Sequence, residues 1–157
     1  MNYNCDILSK FDQDWAIVTA GTKDHFNSMT ISWGAMGTIW GRPALTIYIR
    51  PERYTNEFLK EAEYFTVSFY NEPDRNKLAY LGSHSGRDVD KVKETGLHPL
   101  ILKDDIITYQ EAKETFILKK IYLQRMDKSL MDEKALSFYN GTGLAHDMII
   151  GEIIDKK

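Results

Sequence analysis

Two short runs of the chain gather the residue types that grip a phosphate. Arg50, Arg53, Tyr54 and Thr55 form one, and Ser85, Gly86, Arg87 and Lys91 form the other. Arginine offers a planar fork to phosphate oxygens, lysine a point charge, and serine or threonine a hydroxyl, while a helix start adds free N–H groups and a favourable dipole. Either run alone reads better as ordinary solvated charge. Other chemistries find less support. His25, His84, His98 and His146 are scattered without HxxxH or HExxH spacing, and Cys5, the single cysteine, has no CxxC partner, so a zinc site is not expected. Gly82-Ser83-His84-Ser85-Gly86 mimics a GxSxG nucleophile elbow, but its centre is His84 and it follows a predicted helix instead of a strand. Gly141-Thr142-Gly143 lacks the third glycine of a dinucleotide fingerprint and reads as a turn.

The elements that must carry these runs are mostly strands. Trp15 to Ala20 and Ser28 to Trp33 are rich in β-formers and flank a turn signal at Gly21 to Asp24. Ala44 to Arg50 alternates, with Leu45, Ile47 and Ile49 on one face. Tyr64 to Tyr70 repeats this with Phe65, Val67 and Phe69. Ile106 to Gln110, Thr115 to Arg125 and Met148 to Ile154 supply further strands. Short helices are expected at Asn56 to Glu63, with Thr55 as its N-cap, at Asp74 to Leu81 ending on Gly82, and at Asp88 to Thr95 ending on Gly96. A closed or nearly closed barrel of short strands removes exposed sheet edges and fits this count.

Composition narrows the class. At 157 residues with 43% hydrophobic and 27% charged residues, the chain is expected to fold as one domain over residues 1–157. Its net charge of −3 repels phosphate backbones in bulk, so no nucleic acid is expected as a partner. No apolar stretch approaches the length of a membrane span, the N-terminus lacks a signal-peptide pattern, and the lone cysteine suits a reducing compartment. The expectation is a cytoplasmic protein with no membrane partner.

Taken together, Asn27 to Gly34 (NSMTISWG), Arg42-Pro43, Tyr48 to Thr55 (YIRPERYT) and Gly82 to Lys91 (GSHSGRDVDK) resemble, in order and spacing, the flavin-reductase-like FMN-binding split-barrel family. The flavoredoxin-like branch is the most similar. The likeness runs from about Ile7 to Ile154, and His146 to Ile153 resembles the family's closing strand. It implies a mainly β fold with short helices (α+β), a six-stranded antiparallel split β-barrel that binds FMN and forms a homodimer. By the same resemblance, Asn27, Met29, Thr30, Ile31, Ser32 and Trp33 would line the isoalloxazine ring. Arg50, Arg53, Tyr54 and Thr55 would hold the ribityl chain and phosphate, with Ser85, Gly86, Arg87 and Lys91 completing the cradle. His146 would face the flavin or an incoming nicotinamide, against the plainer reading of a loop histidine at a strand start. Trp15-Ala16-Ile17 departs from relatives that carry proline there.

The activity implied is transfer of hydride from NADH or NADPH to flavin, in which the flavin supplies the chemistry and no side-chain acid or base is needed. Two alternatives stand beside it. One is a noncatalytic flavin-binding electron carrier with the same pocket. The other is a single-stranded nucleic-acid barrel stacking bases on Trp33, Trp40, Tyr48 and Tyr64, which the acidic balance disfavours.

Overall fold

The computed structural model describes residues 6–140 and 143–157, so Cys5 and the Gly141-Thr142 part of the expected turn lie outside it. Nine strands and five α-helices are placed among the described residues: α1 (Asp6–Asp12), β1 (Ala16–Thr22), β2 (His25–Ile31), β3 (Gly34–Ile39), β4 (Arg42–Ile49), α2 (Tyr54–Glu61), β5 (Tyr64–Phe69), α3 (Arg75–Ser83), α4 (Lys91–Thr95), β6 (Pro99–Ile101), β7 (Ile107–Tyr109), β8 (Glu114–Arg125), α5 (Glu133–Ser137) and β9 (Asp147–Lys156). Seven strands form one antiparallel sheet in the order β2-β1-β5-β8-β9-β4-β3, and β6 pairs with β7 separately. The main sheet thus has one strand more than the six expected. The addition is β3, whose sequence GAMGTI lacks the alternation that marks its partner β4. It is drawn into the sheet by a two-residue turn, Trp40-Gly41, in which both residues have positive φ, 50° and 71°.

Alternation decides what the sheet buries. Leu45, Ile47, Ile49, Phe65, Val67 and Phe69 all enter one core with Val18, Ile31, Leu118 and Ile149, as their spacing predicts. The end strand β2 and β4, the last strand but one at the other end, feed this same core, so the sheet wraps around it. Register shifts in β8, between Ile117 and Leu118 and between Lys120 and Tyr122, supply the local bend that wrapping needs. The opposite face of β1 and β5 is also covered. Ile17 packs with Leu78, Leu81, Leu97 and Tyr109 from α3, the segment after α4, and β7. Thr66 and Ser68 are buried there, where Thr66 donates to Ile107 O at 2.7 Å and Ser68 joins Thr108 and Thr115 at 2.9 Å.

Several boundaries differ from expectation, each for a local reason. The first hairpin turns at Lys23-Asp24, which sets Thr22 opposite His25, so β2 begins and ends earlier than Ser28 to Trp33. Gly21 pairs inside that ladder at φ 123°, where a Cβ would lie 2.4 Å from His25 O. Helix α2 starts at Tyr54, not Asn56, so Thr55 lies inside its first turn and Arg53 takes the N-cap position. The third expected helix shortens to α4, capped by Asp90, which accepts from Lys93 N, and ended by Gly96 at φ 64° as predicted. Helix α3 runs through Gly82 to Ser83.

Helix α1 is anchored where Phe11 enters the core against Gly34 of β3, and a Cβ on Gly34 would stand 2.4 Å from the Phe11 ring. Gly34→Ala should therefore destabilise the fold by about 1–3 kcal/mol through overpacking. Urea unfolding of the two proteins measures the difference, and equal midpoints would remove the close approach from the account.

Candidate functional site

Strand β2 positions the site because its two faces differ. Met29 and Ile31 point into the core, while Thr30 turns outward, donates to Leu78 O at 2.5 Å and faces α3. Two hollows follow one another along it. The first, of about 220 Å³, is lined by Met29 to Trp33, Tyr48, Arg50, Arg53, Phe138 and His146. The second, of about 410 Å³, is lined by Asn27, Ser28, Tyr54, Gly86, Asp90, Lys91 and their neighbours.

Eleven of the fourteen residues predicted to contact flavin line these two hollows and divide between them; Thr55, Ser85 and Arg87 line neither. Met29, Thr30, Ile31, Ser32 and Trp33 share the first hollow with Arg50, Arg53 and His146, while Asn27, Tyr54, Gly86 and Lys91 border the second. Thr55 is buried beneath, accepting from Asn27 Nδ2 at 2.8 Å. That bond, and not a helix cap, is its role in the fold. Gly86 packs so tightly on Asn27 that a Cβ there would lie 2.1 Å from Asn27 Oδ1. Ser85 opens the loop before α4 and accepts from Arg87 N at 3.2 Å. Arg87 is exposed, lies over the Tyr54 ring at 4.7 Å and pairs with Glu57.

The cations are unequal. Lys91 is only 7% exposed, and its ammonium donates to Ser28 O and Leu81 O, both at 2.9 Å. One of its three N–H donors is left for the hollow it lines. Burial, with the nearby Arg53 charge second, pushes its pKa down to about 8. Arg53 donates to Gly82 O at 2.7 Å, which ties the start of α2 to the end of α3. Arg50 keeps one weak contact, with Phe138 O at 3.5 Å, and lies 3.8 Å from Glu52.

Trp33 follows β2 and is 38% exposed, with Phe138 at 5.3 Å edge-on and His146 at 5.0 Å between ring centres. It forms a wall of the hollow and takes no part in the core. His146, at the entrance to β9, is 6% exposed and linked to Tyr139 Oη through Nδ1 at 2.5 Å. Burial lowers its pKa, and the Arg50 charge lowers it further. The neighbouring Asp147 carboxyl would be raised by burial, but Arg125 at 2.5 Å and Asn56 Nδ2 at 2.6 Å hold it below the usual range.

Sequence reasoning missed Tyr48, Phe138 and Tyr139. The last two lie just after α5, in a segment that carries no strand pattern or motif and is brought in only by the packing around β9. A larger cavity, about 570 Å³, adjoins the first hollow across Ser32, Trp33, Tyr48 and Phe138 and is lined mostly by apolar residues of α1, β3 and the α5 region. Among the described residues no group of His, Cys, Asp and Glu could hold a metal, and no helix is long and apolar enough to cross a membrane.

Comparison with known proteins agrees with this architecture. The family described as flavin reductase like domain matches residues 8–157, nearly the whole chain. The chain belongs to that family. Its fold is similar to the flavoredoxin of Methanosarcina acetivorans, with TM-score 0.74, 19% identity, and coverage of 100% of this chain and 73% of that one. The FMN-binding protein of Thermus thermophilus with bound 1-cyclohex-2-enone gives 0.72, 21%, 91% and 68%. An NADH:FAD oxidoreductase of Streptomyces globisporus gives 0.69, 14%, 94% and 77%. No curated protein matches the sequence significantly. The mainly antiparallel β fold with short helices is a split barrel of this family.

The Lys91 clamp generates a prediction. Lys91→Met leaves the Ser28 and Leu81 carbonyls without their donor, so stability should fall by about 1–3 kcal/mol. Thermal unfolding without any ligand reads this directly, and an unchanged midpoint would show that the ammonium does not hold the two elements together.

Proposed function

We propose that the chain binds FMN along β2 and works in flavin-dependent electron transfer of the flavin-reductase kind. The observation that carries this reading is the succession along a single strand of a hollow walled by Trp33, Phe138 and His146 and bordered by Arg50 and Arg53, and a second hollow bordered by Lys91. The ring would lie against Met29 to Trp33, beside His146. The phosphate would fall within reach of Arg53, Arg87, Ser85 and Lys91, and of the free N–H groups that open α2. Bound flavin supplies the redox chemistry, accepting hydride from a nicotinamide and passing electrons on. The protein's part is to orient the ring, to screen the phosphate with fixed donors and to keep the ring's surroundings dry.

NADH or NADPH is the proposed electron donor. The Streptomyces neighbour is named an NADH:FAD oxidoreductase, while flavoredoxin similarity supports the second reading, a carrier without its own nicotinamide site. We also propose a homodimer, since Ile7, Leu8, Trp33, Trp40 and Phe138 are large apolar groups left exposed on one chain.

Purified protein should be yellow or take up FMN, release FMN on denaturation, and oxidise a reduced nicotinamide only with flavin present. A colourless protein with no affinity for FMN overturns the proposal; flavin binding without nicotinamide oxidation selects the carrier. Arg53→Ala should weaken FMN binding about 10- to 100-fold, the span of one charge-assisted hydrogen bond.

Binding should also depend on pH. Lys91 is charged below about 8 and neutral above, whereas the FMN phosphate, with a second pKa near 6, stays dianionic from pH 7 to 9. Affinity should therefore fall across that range. The fold should not weaken with it: a neutral amine still has two N–H donors for the two carbonyls, and a lysine pKa lowered by folding favours the folded state as pH rises from about 8 towards 10.5. Isothermal titration at pH 7 and pH 9 tests this, and equal affinities would take Lys91 out of the phosphate site.

A further inference from the structure

The Tyr139–His146 pair has a feature that packing alone does not require. Both rings are buried, His146 at 6% and Tyr139 at 8% exposure, and Tyr139 Oη lies 2.5 Å from His146 Nδ1. Among the described residues Tyr139 Oη has no other hydrogen-bond partner, and His146 Nε2 has none at all. If Nδ1 carried the proton and gave it to Tyr139, the phenol proton would have no acceptor, and Nε2 would be a bare acceptor on a residue that lines the first hollow. If Tyr139 donates, both of its hydrogen-bonding demands are met by one contact, and the imidazole proton is forced onto Nε2. The ring is held in place by Trp33 at 5.0 Å, by Tyr139 edge-on at 5.4 Å and by its own carbonyl, which accepts from Met126 N at 3.0 Å.

We propose that Tyr139 is a positioning residue: its O–H donates to His146 Nδ1 and so holds His146 as the neutral Nε2–H tautomer, aimed as a donor at a carbonyl oxygen or ring nitrogen of the flat ligand in the first hollow. Only the identity of that ligand as FMN rests on the functional reading above. The charged groups facing His146 are Arg50, Glu52 and Asp147, and Lys128 Nζ lies 5.5 Å from the Tyr139 ring centre. Burial and Arg50 disfavour the imidazolium, which would have to turn Nδ1–H towards Tyr139 and break the arrangement.

The test uses the full chain labelled with ¹⁵N-histidine. Two-bond ¹H–¹⁵N spectra of the ligand-free protein at pH 7.5 should show His146 as the Nε2–H tautomer, and Tyr139→Phe should convert it to a mixture. FMN titration should show Tyr139→Phe weakening binding about two- to tenfold, the span of one neutral hydrogen bond, and weakening it no further in a His146→Ala background. An Nδ1–H tautomer in the unaltered protein, a tautomer unmoved by Tyr139→Phe, or equal weakening in both backgrounds overturns the proposal. The spectrum of the unaltered protein decides the first point whether or not any variant folds. Absence of FMN binding would sink the flavin reading while leaving the tautomer result to stand or fall by itself.

Discussion

The site depends on one buried cation. Lys91, at the first position of α4, reaches beneath the loop of residues 84–90 and bonds a carbonyl of β2 and a carbonyl of α3. Without it two polar groups would face each other across an apolar gap, because Leu78 and Leu81 of α3 pack on Ile17 of β1 close by. The ammonium converts that mismatch into a joint and fixes how far α3 stands from the strand. The hollow beside it is therefore a consequence of how three elements are pinned, and it keeps one N–H donor.

Around that joint the polar groups of the region are paired in ways that leave particular atoms to a ligand. Asn27 is held by Thr55, and Arg53 by Gly82 O. Thr30 gives its hydroxyl proton to Leu78 O, so its side chain is left only as an acceptor. The walls are aromatic: Trp33, Phe138 and His146 meet at 5.0–5.3 Å. Such a hollow suits a flat conjugated ring, while Arg50 and Arg53 at its border and Lys91 in the next hollow suit an anion tethered to that ring by a short chain.

A second buried charge stands next in sequence to His146, which lines the first hollow. Asp147 opens β9 and is bonded by Arg125 from the end of β8 and by Asn56 from α2, so three elements meet on one carboxylate. His146 sits one residue before it, and the register Ile49↔Asp147 fixes that residue against the end of β4, where Arg50 follows. The strand pairing thus brings Arg50 and His146 to the same wall.

How much of this was legible beforehand follows from the range of the forces involved. Strands with strict alternation, such as Leu45-Ile47-Ile49 and Phe65-Val67-Phe69, declare both their type and their buried face, since period-two burial is a local property. The phosphate-friendly runs and the NSMTISWG segment were legible as residue types in order. By contrast β3, whose glycines and exposed positions hide its pairing, exists because a two-residue turn folds it onto β4. The placement of Thr55 under Asn27, the burial of Lys91 and the presence of Tyr139 beside His146 join residues 7 to 63 positions apart. The sequence by itself determined the strictly alternating strands, which side of them would be apolar and which phosphate-friendly residue types stand in order along the chain. Only the tertiary structure decided which of those side chains are free for a ligand and which are already bonded, because hydrogen-bond partners are assigned by packing in space and not by order along the chain.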